Sequence, residues 1–490
     1  MADEAQSSRS SKIKSCTITS NAGKEKDITQ LIIGFRHMES LLSPFMTGKL
    51  LVSDSAEFLN TLPVEGGEDV LIEATTPVEE KTYITYKYKV WRISNRTEVG
   101  NKRAYTLDLV SAEALVNETT RVKQKFANSI DNIVSELLSS SYLNATPAKQ
   151  FFKEPCLFEL AYIGQLQRPF DIICQLANRA ISTNSPLPTP KTKENKSKST
   201  EKSEGGTTQQ SIKGTAGFFF WENYRGYNFF SVDALCDFKF GKDGEVLPGP
   251  FNLDDYPPFI QGPYVDQIGN RDDTDDRFLT TEVIYKDEVD TMTSLREGKY
   301  AATMIFFNHS TGQYEEFGYK ITDTYNSMAH LGNQSKVSDL SAGQKDMVKT
   351  PTRIMSMVLD HEAWYNDPGI ANPEDDLAEN PSLFADQHKH YAAQTVARKT
   401  LLKNQRLTLV IPPNNKIAAG DKIEVILQKR ASQEQKKEGA IDEENSGVYL
   451  VCDVEHIWSK TDGVDGNGET TLQLFRDSYG MKDKFVKRGQ

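Results

Sequence analysis

The sequence predicts a multidomain α+β protein that is mainly β. Three observations carry this. Runs rich in aromatic and β-branched residues lie near both ends, two helical periodicities fall between 115 and 184, and a strand pattern near the start returns near the end. At 490 residues the chain has room for several domains, each with its own core.

Residues 1–14 are polar and read as a flexible arm. Over 15–114 the expected strands are at Ile18, Leu31–Ile33, Leu50–Val52, Val70–Ile72, Tyr83–Ile93 and Tyr105–Val110, with a turn at Gly66-Gly67. Character changes near 115. Ile130, Ile133, Val134, Leu137 and Leu138 recur at helical spacing, and a second helix opens at Arg168-Pro169, since proline suits a first turn. A small α+β domain is therefore expected over 115–184. Residues 185–212 hold almost nothing to bury and predict a disordered, lysine-rich linker.

At 217–235 two aromatic strands flank a turn that includes Gly226, the pattern of a hairpin. An acidic, proline-punctuated insertion follows over 241–390, with 12 Asp and Glu against 5 Lys and Arg within 253–300. Its expected strands are Phe278–Tyr285, Tyr300–Phe307 and Tyr314–Ile321. A helix around Ala385–Lys403 leads into a last β region, so that 213–240 and 391–490 together make a second, discontinuous β domain.

The net charge of −12 argues against general affinity for nucleic acid, which needs clustered Lys and Arg to displace counterions. The five cysteines are scattered without CxxC spacing, which fits reduced thiols better than a disulfide framework or a zinc site. No apolar run of membrane-spanning length or signal-peptide core is present. His361-Glu362 begins like HExxH, but Tyr365 stands at the second histidine position. His388 and His390 fall in a helical pattern that does not bring two imidazoles together. Asp272, Asp273, Asp275 and Asp276 lack the Gly and Glu that an EF-hand requires, and Asp462–Glu469 reads as a glycine-rich hairpin turn. No nucleophile elbow, phosphate loop or dinucleotide motif occurs, so no catalytic, cofactor or metal residue is assigned. Trp221, Tyr224 and Tyr227 could form a sugar-stacking platform beside acidic residues of 253–276. At alternating strand positions they are more simply core or subunit interface.

The two β regions echo one another. Gly67 and Asp69 precede Val70-Leu71-Ile72, then Tyr88–Ile93, then Tyr105–Leu109. Gly420-Asp421 precede Ile423, Val425 and Leu427, then Tyr449–Val454, then Thr471–Leu474. A spacing near 350 residues is too long for a solenoid repeat and points to two related β domains with material inserted between them.

Three stretches carry a further resemblance: GFFFWENYRGYNFFSVDAL (217–235), LTLVIPPNNKIAAGDKIEVIL (407–427) and SGVYLVCDVEHIW (446–458), with MESLLSPFMTGKLLVSDS (38–55) as a weaker fourth. In this order the set resembles the baseplate central hub family of contractile-tailed bacteriophages. The resemblance implies two tail-tube-like β-barrel domains per chain, so that a homotrimer forms a pseudo-hexameric ring. It also implies a spike protein, a tail tube protein and baseplate wedge proteins as partners. DNA would pass through the channel without specific binding, and the chain would sit in the virion tail after assembly in the host cytoplasm. Tube or subunit contacts are expected from the strands around Leu107, Leu109, Leu472 and Leu474, and from Trp221 and Tyr227. The neighbouring reading is the hub of a tailocin or secretion injector. The reading from another class is a peptidoglycan-active enzyme.

Overall fold

The computed structural model describes residues 10–54, 58–75, 83–99, 102–157, 159–183, 216–240, 246–248, 263–266, 276–286, 290–308, 314–325, 328–333, 348–359, 387–429, 441–460 and 466–481. The expected linker at 185–212, His361 and most of the acidic cluster at 272–276 lie outside them.

The first region forms β1 (Ser10–Thr19), β2 (Glu25–Asp27), β3 (Ile32–Ser40), β4 (Thr47–Asp54), a helical turn α1 (Phe58–Thr61), β5 (Asp69–Thr75), β6 (Ile84–Val99) and β7 (Lys102–Val110). Side chains alternate in burial as the pleat demands: Leu50 and Val52 of β4 point inward while Lys49 and Leu51 are exposed. The inward residues, among them Phe35, Tyr86, Tyr88, Leu107 and Leu109, build one core.

The small α+β region comprises α2 (Ala112–Thr119), β8 (Lys125–Ser129), α3 (Ile130–Leu138), β9 (Gln150–Lys153), β10 (Glu159–Ile163) and α4 (Pro169–Ala177), the last with Pro169 in its first turn as read from the sequence. The aromatic hairpin follows as β11 (Phe218–Asn223) and β12 (Gly226–Ser231), capped by α5 (Val232–Cys236). Its sheet neighbour is β9, which runs parallel to β12. Phe218, Phe220, Tyr227 and Phe229 pack into the core of α3 and α4, whereas Phe219, Trp221 and Phe230 pack against Val448, Leu450 and Phe475 near the C-terminus. The hairpin is thus a septum, apolar on both faces, which is why its sequence shows an unbroken aromatic run instead of alternation.

Beyond it come β13 (Phe238–Phe240), β14 (Val246–Pro248), β15 (Tyr264–Asp266), β16 (Leu279–Thr280), β17 (Glu282–Lys286), α6 (Thr291–Glu297), β18 (Ala301–Asn308), β19 (Tyr314–Lys320), α7 (Ile321–Thr324) and β20 (Arg353–Leu359). Asp290 caps α6 by accepting from the Thr293 amide, and Gly298 ends it at φ +78°. β18, β19 and β20 form a small sheet whose Met304 and Tyr319 pack on Ala393, Ala397 and Leu401 of α8 (Gln387–Leu402). The chain closes with β21 (Gln405–Ile411), β22 (Lys422–Ile426), β23 (Gly447–Ser459) and β24 (Gly466–Arg476).

Fourteen strands join in one sheet. Its path is β16-β15-β22-β23-β3-β4-β7-β6-β5-β1-β24-β21-β17, with β2 on β1 and an added pairing of β23 with β24. That added pairing closes a circuit: β3, β4, β7, β6, β5 and β1 return through β24 and β23. On the other side β21 and β22 flank the same hairpin, and β16 and β17, consecutive in sequence, connect β15 to β21. The fold is mainly β, and β23 and β24 belong to both halves of its large sheet.

Candidate functional site

The feature that organises the molecule is the seam where β23 and β24 pass from one half of the sheet to the other. The first part of β23 pairs with β22 from Gly447 to Leu450, and the later part pairs with β3 from Asp453 to Ser459 along the same edge. Between them Cys452 is an extra residue, a β-bulge opposite β24. The bulge lets Val451 and Val454, three apart, face the same core, and it lets Trp458 reach the core of Phe35 and Tyr86. Phe35 and Trp458 stack with ring centroids 5.1 Å apart.

The same construction occurs at the other end of the chain, residue for residue. Gly67 donates to the Val90 carbonyl (2.7 Å) and Val90 to that of Glu68 (3.0 Å). Gly420 donates to Val451 (2.9 Å) and Val451 to Asp421 (2.8 Å). Both glycines take positive φ, +91° and +93°. Tyr88 pairs with Val70 as Tyr449 pairs with Ile423. Val90 faces Leu109 and Ile93 faces Leu107, with Trp91 bulged between; Val451 faces Leu474 and Val454 faces Leu472, with Cys452 bulged. One strand further, Leu50 lies opposite Leu107 as Leu409 lies opposite Leu472. Phe35 then lies opposite Leu50 as Val283 lies opposite Leu409. The echo read from sequence is therefore a repeated five-strand register, including its bulge.

All six residues singled out in the sequence for contacts are fully buried. Leu107 and Leu109 occupy one core, and Leu472 and Leu474 hold the equivalent places in the other. Trp221 and Tyr227 sit on opposite faces of the hairpin septum. Tyr227 stacks on Phe220, with centroids 5.5 Å apart and planes 2° from parallel. Trp221 and Tyr227 thus present no exposed sugar-stacking face. The half-buried Tyr224 donates from its hydroxyl to the Lys416 carbonyl at 3.2 Å.

Polar groups missed in the sequence hold the seam together. His37 and His456 are cross-strand partners, with rings stacked 5.8 Å apart and 5° from parallel, both buried. His37 contacts the Glu39 carboxylate at 2.9 Å, and Glu39 also accepts from the backbone of Tyr224 (2.7 Å) and Ala419 (3.0 Å). One carboxylate thereby joins β3, the hairpin turn and the loop before β22. Burial opposes its charge, but the bond and charge of His37 and the Ala419 amide hold Glu39 below the usual carboxylate range. Burial, with His37 alongside, pushes His456 down to about 3, so it is neutral at pH 7. Its Nε2 donates to the Ile417 carbonyl at 3.1 Å, and its Nδ1 lies 2.9 Å from the Thr470 hydroxyl. Arg225 forks onto both oxygens of Asp421 at 2.7 and 2.8 Å, and the Trp221 indole donates to Ala419 at 2.8 Å. The strand expected at Leu31–Ile33 stops short of His37, whereas β3 runs to Ser40. That His37 and His456 meet was not legible either, because it requires pairing strands about 420 residues apart.

A second buried knot ties α8 to the sheet. Arg398, fully buried, donates from Nε to Asp233 (3.1 Å) and from a terminal nitrogen to Asp477 (2.9 Å), and Asp477 also contacts His330 Nδ1 at 2.7 Å. Despite burial, the partners His330 and Arg398 hold Asp477 far below the carboxylate range. His388 and His390 fall on α8. Among the described residues there is no group of three potential ligands that could hold a metal ion, and no helix long and apolar enough to cross a membrane.

No protein-family model and no curated protein matches the sequence. Solved structures similar to the chain include tail proteins, a phage P2 baseplate and a type VI secretion system component. A tail protein from Neisseria meningitidis shares 10% identity, covering 94% of this chain and 96% of its own, with a TM-score of 0.47. The 43 kDa tail protein of a Shewanella oneidensis prophage shares 8%, covering 95% and 98%, at 0.44. An Escherichia coli type VI secretion component with structural similarity to phage T4 tail proteins shares 10%, covering 96% and 78%, at 0.37.

Proposed function

We propose that this chain is the structural, non-enzymatic hub of a phage-type tail baseplate, and that each half of its large sheet is a tail-tube-like β-barrel. The supporting observation is the repeated register of β5–β7 in β22–β24, bulge included, within one sheet. A chain that carries the same unit twice offers six units as a trimer, and so joins a six-fold tube to a three-fold spike. Closed strand circuits also leave few edges to aggregate.

In this reading the small α+β region and the part of the 241–390 insertion beyond β17 serve the spike and wedge proteins, and the barrels, the second of which takes β15–β17 from that insertion, meet the tail tube protein. The contact strands are those of Leu107, Leu109, Leu472 and Leu474. Because these side chains are buried, contact falls to outward neighbours such as the exposed Glu469 and Gln473. The net charge of −12 suits a channel along which DNA slides without sticking. Electron microscopy of the purified chain, alone and with its candidate spike, tests the proposal. The expected particle has three-fold symmetry and six similar lobes around an open channel. A chain that stays monomeric with its spike, or that hydrolyses peptidoglycan, would overturn it.

A further inference from the structure

Within the chain, the first half of the sheet receives the second at one edge: β3 accepts the part of β23 beyond its bulge. The register match gives each of these strands a counterpart. β17 stands to β21 as β3 stands to β4, because Val283 and Phe35 face the equivalent leucines. β6 stands to β7 as β23 stands to β24. The counterparts are not joined within the chain. β17 is the last strand of the sheet path, and no described strand pairs with its outer edge. β6 pairs with β5 only up to Lys89; beyond the Trp91 bulge, no described strand lies on that edge. Both are exposed there, β6 at Trp91 (48%), Arg92 and Asn95–Glu98, and β17 at Ile284 (41%).

We infer that the β6–β7 arm of one copy adds to the outer edge of β17 in a second copy, in the geometry by which β23 joins β3 inside each chain. The internal seam is then the template for the seam between subunits. The contact is heterologous, its donor and acceptor edges separated by β5, β1, β24 and β21 along the sheet path, and it makes a ring where its rotation closes at three copies. It rests on the ring reading above and names the strands that would make it. The register carries over directly: Glu455 pairs with Met38, so its counterpart Ser94 pairs with Lys286 of the second copy. Ser94 precedes the second bulge of β6, so that match holds without a slip. Ile284 lies exposed in the middle of β17, between Glu282 and Lys286.

Cysteines placed by Ser94→Cys and Lys286→Cys in one full-length chain test this under mild oxidation, beside mass photometry of the same sample. The expected result is a covalent ladder up to the trimer from the double variant and a covalent dimer, no larger, from a mixture of the two single variants, with neither product from a single variant alone. Hydrogen exchange of the unaltered chain supplies a readout that needs no variant: amides of 92–99 and 282–286 should slow roughly tenfold or more on assembly. Assembled trimers that give no ladder, and whose β6 and β17 amides exchange as in the monomer, would overturn this seam and leave the hub reading standing. A chain that remains monomeric with its spike would overturn both.

Discussion

Glu154 is a carboxyl buried at the end of β9, where the Ser182 hydroxyl and the Ser231 amide (2.8 Å) both donate to it. Burial outweighs these bonds and pushes it from 4.5 up to about 7. The folded chain therefore binds this proton more tightly than the unfolded one. Its contribution is fully present below 4.5 and lost as pH rises through about 7. Glu154→Gln should then be nearly neutral at pH 4.5 and stabilising by up to about 3 kcal/mol at pH 8, read as the difference between urea unfolding curves. Equal effects at both pH values would rule out this titration. His456 acts in the opposite sense: its pKa is depressed, so its contribution falls away as pH drops below 6.5 toward about 3. The paired turn glycines allow a matched comparison. A Cβ on Gly420 would lie 2.4 Å from the Trp221 ring, whereas one on Gly67 would meet only Asn21 at 3.5 Å. Gly67→Ala should cost only the left-handed backbone penalty of about 1–2 kcal/mol. Gly420→Ala should add about 1–3 kcal/mol of overpacking, seen as a larger fall in melting temperature.

Elements of this protein differ in how openly they declare themselves. α3 and α4 announce their apolar faces at helical spacing, and both were legible to within a residue or two at their starts. The hairpin was legible as two strands and a turn. Its neighbour was not, because an aromatic run with no alternation signals burial on both faces without naming either partner. The bulges at Trp91 and Cys452 were silent in sequence. A bulge changes the parity of alternation by one residue, and β23 hides the change by being buried on both sides before it. Deleting Cys452 should therefore turn either Tyr449 and Val451 or Val454 and Trp458 away from their cores, and the chain should be recovered only as insoluble material. Cys452→Ser, which keeps the count, should cost only about 1–3 kcal/mol for a buried hydroxyl and remain soluble. Circular dichroism of the soluble fraction separates the two.

At the scale of the whole molecule, β23 and β24 make two cores into one cooperative body. Trp458 belongs to the first core and Val451 to the second, yet they lie on one strand. Trp458→Ala should open a cavity worth about 3–5 kcal/mol in the first half. Because the strand is shared, exchange of β21 and β22 amides should quicken along with that of β4 and β5. Loosening confined to β3–β6 would show that the halves unfold independently.

The sequence alone determined the mainly β character, the helices of the α+β region and the existence of two matching strand patterns, down to Leu107 and Leu109 against Leu472 and Leu474. These are local properties: a pleat alternates every residue, a helix turns in 3.6, and either period is written in neighbouring side chains. Only the tertiary structure decided that β23 crosses to β3, that the hairpin joins β9, that His37 meets His456 over Glu39, and that all six residues singled out for contacts are interior. Those choices lie between strand edges whose hydrogen-bonding groups are chemically alike. The partner is selected by chain topology and by the fit of whole faces, neither of which any short stretch of sequence records.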